Sequence, residues 1–236
     1  TNAGNIYGAT QVDVNAGNKL HMKAGTINGT SHVIMNAGNA AIFKGASITS
    51  AKVTITSGND VSMTAGSINS ANGTVDITAT DNIILSDGSI IANTATLTAT
   101  NGELVQVLDT NGAGHEIDAT NLTVKAGEGV SLGSKENKLN NVYLDVSGGG
   151  ILIGNGNTGN EAMNVAVKTG VETLTSDITI TNYNNLADSD KGNDINVAGV
   201  IKTTGDVTFI NDESNIEVSA QDVLEGNNVT FDAAGN

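Results

Sequence analysis

The residues best suited to chemistry lie in one polar segment, residues 188–194, which reads DSDKGND. Asp188, Asp190 and Asp194 would bring three carboxylates together, and calcium prefers several oxygen ligands of this kind. The segment lacks the residue order of an EF-hand, and Lys191 places a positive charge among the carboxylates. Two interpretations therefore stay open, a calcium site at these three aspartates and a solvated loop, and the lysine favours the loop. No other cofactor is indicated.

The three histidines, His21, His32 and His115, do not form a metal-binding motif. No pair of them has the short spacing of zinc ligands, and the chain contains no cysteine. The alternation of apolar and polar residues places His21 on an outward face, and His32 falls at a corner between two runs. We therefore expect all three histidines to be exposed surface residues.

Carboxylate pairs suited to catalysis are not apparent either. Asp13 and Asp76 fall in one outward column of the repeat described below, but Ile34 and Thr54 stand between them. Glycoside hydrolysis needs two carboxylates at a defined separation, and aromatic residues, which often line carbohydrate clefts, make up only 3% of the chain. We therefore expect that the protein is not an enzyme. A polysaccharide-active β-helix enzyme is kept as a second alternative.

The composition excludes several classes of partner. The 236 residues carry a formal net charge of −15 and include no Arg, Cys, Pro or Trp. Nucleic-acid binding depends on Lys and Arg that neutralise phosphates, so this charge predicts no nucleic-acid partner. No apolar run reaches the roughly 18–20 residues that a membrane span requires.

Four Asn-x-Ser/Thr triplets, which are acceptor sequences for N-glycosylation, begin at Asn28, Asn72, Asn121 and Asn228. A chain this rich in asparagine, serine and threonine would contain about as many by chance. The triplets are therefore weak evidence for glycosylation, and the sequence leaves the modification open.

These residues are embedded in a sequence that repeats itself. Each copy contains two alternating runs, a Gly/Asn turn between them and a closing Gly-Ser-Ile or Gly-Thr-Ile step. The period of roughly 20–22 residues is typical of stacked-repeat proteins. Alternation predicts short strands with one apolar face. The four clearest copies cover residues 12–27, 33–48, 53–68 and 75–90.

Alignment of the copies predicts four apolar columns in the interior. They are Val14, Met35, Ile55 and Ile77; Leu20, Ala41, Val61 and Ile83; Met22, Phe43, Met63 and Leu85; and Ile27, Ile48, Ile68 and Ile90. Gly-Asn pairs occupy the corner between the runs, at residues 17–18, 38–39 and 58–59. We expect positive φ at these corners and ladders of stacked asparagine side chains. A globular β-sandwich, the alternative fold, would not produce such columns.

The sequence therefore predicts an all-β chain folded as a parallel β-helix, or β-solenoid, of about 10–11 coils of roughly 20–22 residues each. We expect residues 1–236 to form a single solenoid segment, with regular coils over 11–163 and more irregular coils over 164–236. Because the chain opens and closes inside the repeat, we expect it to be an interior piece of a longer protein.

Residues 53–90, VTITSGNDVSMTAGSINSANGTVDITATDNIILSDGSI, resemble the haemagglutinin-type repeats of filamentous-haemagglutinin-like exoproteins. These are large adhesins that Gram-negative bacteria export by two-partner secretion. The segment GEGVSLGSKENKLNNVYLDVSGGGILI is similar to another stretch that recurs in that family. The resemblance covers residues 11–155 well and 164–236 loosely. It implies a right-handed β-helix, secretion to the bacterial cell surface, and a role in adhesion, aggregation or display.

We therefore expect an extracellular structural and adhesive rod belonging to a secreted bacterial surface exoprotein. Its partner would be a receptor or glycan on a host cell or a neighbouring cell. The first alternative is a self-assembling extracellular filament or biofilm-matrix scaffold, whose copies associate end to end or laterally. The Asn-Pro motifs of the family's secretion domain are absent, because the chain has no proline.

Overall fold

The computed structural model describes residues 4–156, 162–169, 174–183, 194–212, 214–219 and 222–233. This part of the chain contains 22 strands and no helix, and every strand pairing in it is parallel. The strands stack into about ten turns. The chain is therefore an all-β parallel β-solenoid, as the repeat predicts, while the right hand of the coil stays a prediction.

The strand bounds follow chain order. They are β1 (Asn5–Gly8), β2 (Gln11–Ala16), β3 (Leu20–Met22), β4 (Gly25–Gly29), β5 (His32–Ala37), β6 (Ala41–Thr49), β7 (Lys52–Ser57), β8 (Val61–Ala79), β9 (Ile83–Leu85), β10 (Ser89–Ala99), β11 (Leu104–Gln106), β12 (Glu116–Ala126), β13 (Val130–Leu132), β14 (Lys138–Val146), β15 (Ile151–Asn155), β16 (Met163–Thr169), β17 (Ile178–Asn182), β18 (Ile195–Lys202), β19 (Val207–Asn211), β20 (Ile216–Val218), β21 (Val223–Glu225) and β22 (Val229–Ala233).

Each turn of the regular part has three sides. Each side is a stack of parallel strands, one from each turn. The stack of side A starts with β2, β5 and β7, that of side B with β3 and the first residues of β6, and that of side C with β1 and β4. The sequence indicates only two runs, and therefore two strands, in each repeat. The Gly-Ser-Ile or Gly-Thr-Ile step forms a third strand, which lies on side C. Longer strands such as β8 run through the corners and contribute to all three sides.

The register confirms the predicted columns. On side A, Val14 pairs with Met35, Met35 with Ile55, and Ile55 with Ile77. The other three columns have the same one-turn register on sides B and C. The column residues of the second to fourth copies are almost completely buried. Because burial of one such side chain stabilises by about 1.5–3 kcal/mol, the stacked columns form the core.

The last turns depart from the three-sided section. Within the described residues, side C ends with β14, and Ile201 of β18 pairs with Leu224 of β21 in an additional short row. Sides A and B nevertheless continue in register to β20 and β22. The two-row stack therefore extends through both the regular and the irregular part of the chain.

The positive φ expected at the Gly-Asn corners is not found at their glycines, Gly17, Gly38 and Gly58. Positive φ occurs one corner later, before side C, at Gly25 (109°), Gly45 (117°), Gly66 (107°) and Gly88 (103°). At the Gly-Asn corner a Cβ atom on Gly58 would overlap the carbonyl oxygen of Gly38, and one on Gly38 would overlap that of Gly17. Glycine is required there because successive backbones approach closely.

This stacking gives a testable prediction. Gly58→Ala should lower the free energy of unfolding by about 1–3 kcal/mol, because the new methyl group meets the backbone of the preceding turn. Gly17→Ala is the matched control, since no atom lies within 4 Å of its Cβ position, and it should change stability by less than about 0.5 kcal/mol. Urea denaturation followed by circular dichroism measures both. Equal effects of the two substitutions would contradict the stacking argument.

Candidate functional site

The predicted calcium site falls mostly outside the described residues. Asp188 and Asp190 lie there, and only Asp194 can be placed. Its Oδ1 accepts hydrogen bonds from the hydroxyl of Ser214 (2.6 Å) and the backbone N–H of Asn215 (3.0 Å). Asp194 therefore ties its own corner to the next turn. Among described side chains, no three carboxylates, histidines or cysteines are grouped so as to hold a metal ion, and the calcium site at Asp188, Asp190 and Asp194 stays a prediction.

The prediction that all histidines are exposed is wrong for His115. Its side chain is completely buried, and its Nδ1 donates to the carbonyl oxygen of Asp87 at 2.8 Å, while its Nε2 has no hydrogen-bond partner in the described part of the chain. His115 ends a loop, residues 107–115, that is present in one turn only, so the repeat offers no aligned copy from which to infer its orientation. His21 and His32 are half-buried, and His32 Nε2 lies 2.9 Å from Thr54 Oγ1.

Burial lowers the pKa of His115 below its ordinary value of 6.5, and the hydrogen bond to the Asp87 carbonyl only partly opposes this effect. The imidazole is therefore neutral at neutral pH. Its Nδ1 carries the proton, because the carbonyl oxygen can only accept. The residue acts as a structural link between the loop and the turn before it.

Buried amides form a continuous network in the interior at the end of side B, which the sequence analysis did not anticipate. Gln106 Nε2 donates to Asn137 Oδ1 at 2.8 Å, and Asn137 Nδ2 returns a bond to Gln106 Oε1 at 3.1 Å. Asn137 also donates to the carbonyl oxygens of Leu132 (3.1 Å) and Gly154 (3.0 Å). These bonds join three successive turns.

The network continues towards the C-terminus as a ladder of asparagines. Asn155 Nδ2 donates to Asn182 Oδ1 at 3.0 Å, and Asn182 Nδ2 to Asn211 Oδ1 at 3.5 Å. Each of these asparagines ends a side-B strand, in the runs ILIGN, ITITN and VTFIN. That shared position after an aliphatic run is the signal by which the ladder could have been found.

A second asparagine ladder lies on the outer surface of side A. Asn141 donates to Asn121 (3.1 Å), Asn164 to Asn141 (2.8 Å) and Asn196 to Asn164 (2.8 Å). The predicted asparagine ladders therefore exist, but at these positions. At the Gly-Asn corners successive turns are joined by backbone bonds, such as that from Asn39 N–H to the carbonyl oxygen of Asn18, and the described residues form no asparagine side-chain ladder there. The side-A ladder borders a depression of about 300 Å³ beside Tyr143.

The acids that sequence analysis weighed for catalysis are distributed along the surface. Asp13 and Asp76 share a column with Ile34 and Thr54 between them, as predicted. Asp13 accepts from Gln11, and Asp76 lies 3.5 Å from the ammonium of Lys52. The register therefore keeps these two carboxylates apart.

Other carboxylates line a cleft of about 420 Å³ beside the loop of residues 107–115. Asp87, Asp109 and Glu136 face it. Backbone N–H groups of Ala113 (2.9 Å) and Asn111 (2.7 Å) donate to Asp109 Oδ1 and lower the pKa of that carboxyl. Asp109 therefore closes the loop, and Asp87 accepts the backbone N–H of Gly88 at 2.8 Å, so two of the three carboxylates already hold the backbone in place.

Comparison of the chain with models of protein families, with curated proteins and with solved structures finds no match. The resemblance to filamentous-haemagglutinin-like exoproteins therefore stays a prediction. Among the described residues, no helix is long and apolar enough to cross a membrane. The four glycosylation triplets all begin at exposed asparagines, Asn28, Asn72, Asn121 and Asn228, and their modification is likewise a prediction.

The buried network predicts an unequal response to two asparagine substitutions. Asn137→Ala should lower the free energy of unfolding by about 3 kcal/mol or more, because it leaves the Gln106 amide and several backbone groups in the interior without hydrogen-bond partners. Asn141→Ala, in the exposed ladder, should cost no more than about 0.5 kcal/mol. Chemical denaturation measures both, and a cost for Asn137→Ala no larger than for Asn141→Ala would show that the network does not stabilise the fold.

His115 predicts a pH dependence of stability. Because its folded pKa lies below the unfolded value of about 6.5, the stability it contributes is complete above pH 6.5. That stability is lost as the pH falls further and the unfolded chain takes up the proton, by up to about 1.4 kcal/mol per pH unit. His115→Gln should have a smaller fall in urea midpoint between pH 7 and pH 5 than the wild type. An unchanged slope in His115→Gln would contradict the buried neutral imidazole.

Proposed function

We propose that this chain is an extracellular structural and adhesive rod of a secreted bacterial surface protein. The observation that carries the proposal is the uninterrupted register of sides A and B from β2 and β3 to β20 and β22. Ten turns at the spacing of neighbouring strands give a rod about 45 Å long. The resemblance of residues 53–90 to haemagglutinin-type repeats supports the same function.

The mechanism is mechanical. Each turn is stabilised by the turns on either side, and these interface energies sum along the rod. Surface groups are therefore held at fixed axial separations. The formal net charge of −15 keeps neighbouring rods apart in solution. Adhesion would use exposed side chains, and the partner would be a receptor or glycan on a host cell or neighbouring cell.

The first alternative is a self-assembling filament, in which copies would stack end to end as the turns do within one copy. Within the chain, for example, Phe231 stacks on Phe209 of the preceding turn with ring centroids 5.6 Å apart. Copies that joined in this way would continue the same columns.

A binding experiment tests the adhesive function. Beads coated with the polypeptide should bind bacterial or epithelial cells saturably, and soluble polypeptide should compete. Ile55→Asp should abolish binding, because a carboxylate in the buried column prevents stacking. Binding by the wild type that does not exceed binding by Ile55→Asp would overturn the proposal.

Negative-stain micrographs of the same samples separate the two functions. Single rods about 45 Å long together with saturable cell binding support the adhesive rod. Fibres that disappear in Phe231→Lys, without cell binding, support the filament instead.

A further inference from the structure

The outer surface of side B carries an apolar groove of about 360 Å³. Its floor contains Val105 and Leu152, which point outward from β11 and β15 and are half-buried. Ser131 stands between them in the register. Because serine is shorter than its two neighbours, it leaves a notch between the aliphatic side chains.

The groove is deepened by the corner that precedes side B. In four successive turns this corner position is occupied by Glu103, Gly129, Gly150 and Asp177. The carbonyl oxygen of each accepts a backbone N–H of the preceding turn at an equivalent point. The two glycines leave the middle of the column without side chains. The groove therefore has a carboxylate at each end and an aliphatic floor between them.

Both terminal carboxylates are available to a ligand. The Glu103 side chain is exposed and makes no hydrogen bond or ion pair with the described residues. Asp177 is exposed, and among the described residues its carboxylate accepts one bond, at Oδ1 from the backbone N–H of Asp206 at 2.9 Å. The described residues that line the groove include no cation, in a chain of net charge −15. Charge complementarity therefore favours a ligand with two positive charges.

The spacing of the carboxylates specifies the ligand further. Leu104 pairs with Val130, Val130 with Ile151, and Ile151 with Ile178, so Glu103 and Asp177 are separated by three steps of the ladder. Three steps correspond to about 14 Å. In an extended peptide, residues four apart are separated by about 13 Å and lie on the same face, together with the residue midway between them.

We propose that this groove binds an extended basic segment of a partner protein with the pattern Lys-x-aliphatic-x-Lys, lying parallel to the axis of the rod. One lysine pairs with Glu103 and the other with Asp177. The aliphatic side chain between them enters the notch above Ser131. The inference goes beyond the adhesive function, because it assigns a ligand class to one surface from the geometry of that surface alone.

The peptide acetyl-Lys-Thr-Val-Thr-Lys-amide, labelled for fluorescence anisotropy, is the probe. The peptide should bind the 236-residue chain and shift the amide NMR signals of Ser131 and Thr179. Its affinity should fall with added salt, because exposed charge pairs are screened by salt. Glu103→Gln and Asp177→Asn should each weaken binding about 2- to 5-fold. Ser131→Leu fills the notch without a change of charge and should abolish binding.

Matched controls separate the groove from general attraction to an acidic rod. Glu217→Gln and Asp232→Asn remove equal charges from exposed positions in the last turn, away from the groove, and should leave binding unchanged. The peptide acetyl-Lys-Lys-Thr-Val-Thr-amide, with the same composition, should bind at least about 5-fold more weakly. Equal binding of the two peptides, or equal effects of groove and control substitutions, would overturn the proposal.

Discussion

The backbone hydrogen bonds between successive turns are the interaction on which the rest of this structure depends. Each strand satisfies its polar groups with the strands directly before and after it along the axis, so every residue acquires a neighbour about one repeat away. Side chains in one column must therefore suit each other. This explains why isoleucine stacks on isoleucine at Ile48 and Ile68, glycine on glycine at Gly38 and Gly58, and asparagine on asparagine at the surface.

The interior amides show a second consequence of that stacking. A buried amide is costly unless its donors and acceptors are all paired. Here the neighbour one turn away supplies the partner, as in the reciprocal bonds between Gln106 and Asn137. A slip of one residue would bring other residues, such as Glu136 or Thr181, to these positions and leave the buried amides without their partners. The network therefore discriminates against wrong registers more strongly than the aliphatic columns, whose members are interchangeable in packing.

The predictability of each feature from sequence depends on whether it recurs. The aliphatic columns could be predicted because four aligned copies carry them, and period-2 alternation assigns their face. Side C was missed as a strand because a Gly-Ser-Ile step is too short to show alternation. His115 was misplaced because its loop occurs once. The groove depends on which residues occupy one corner in four separate turns, Glu103, Gly129, Gly150 and Asp177, and that arrangement emerges only once the register is known.

The loop of residues 107–115 shows how the solenoid accommodates extra chain. Ile90 pairs with Ile117 and Ala95 with Leu122, so the strands after the loop resume their places as if it were absent. The number of residues at a corner can therefore increase without a change in the packing of the interior. A gene for such a chain can acquire insertions at corners, and these change the surface of the rod. Unequal recombination between repeat copies can shorten or lengthen the rod by whole turns. Evolution can then tune reach and surface character separately.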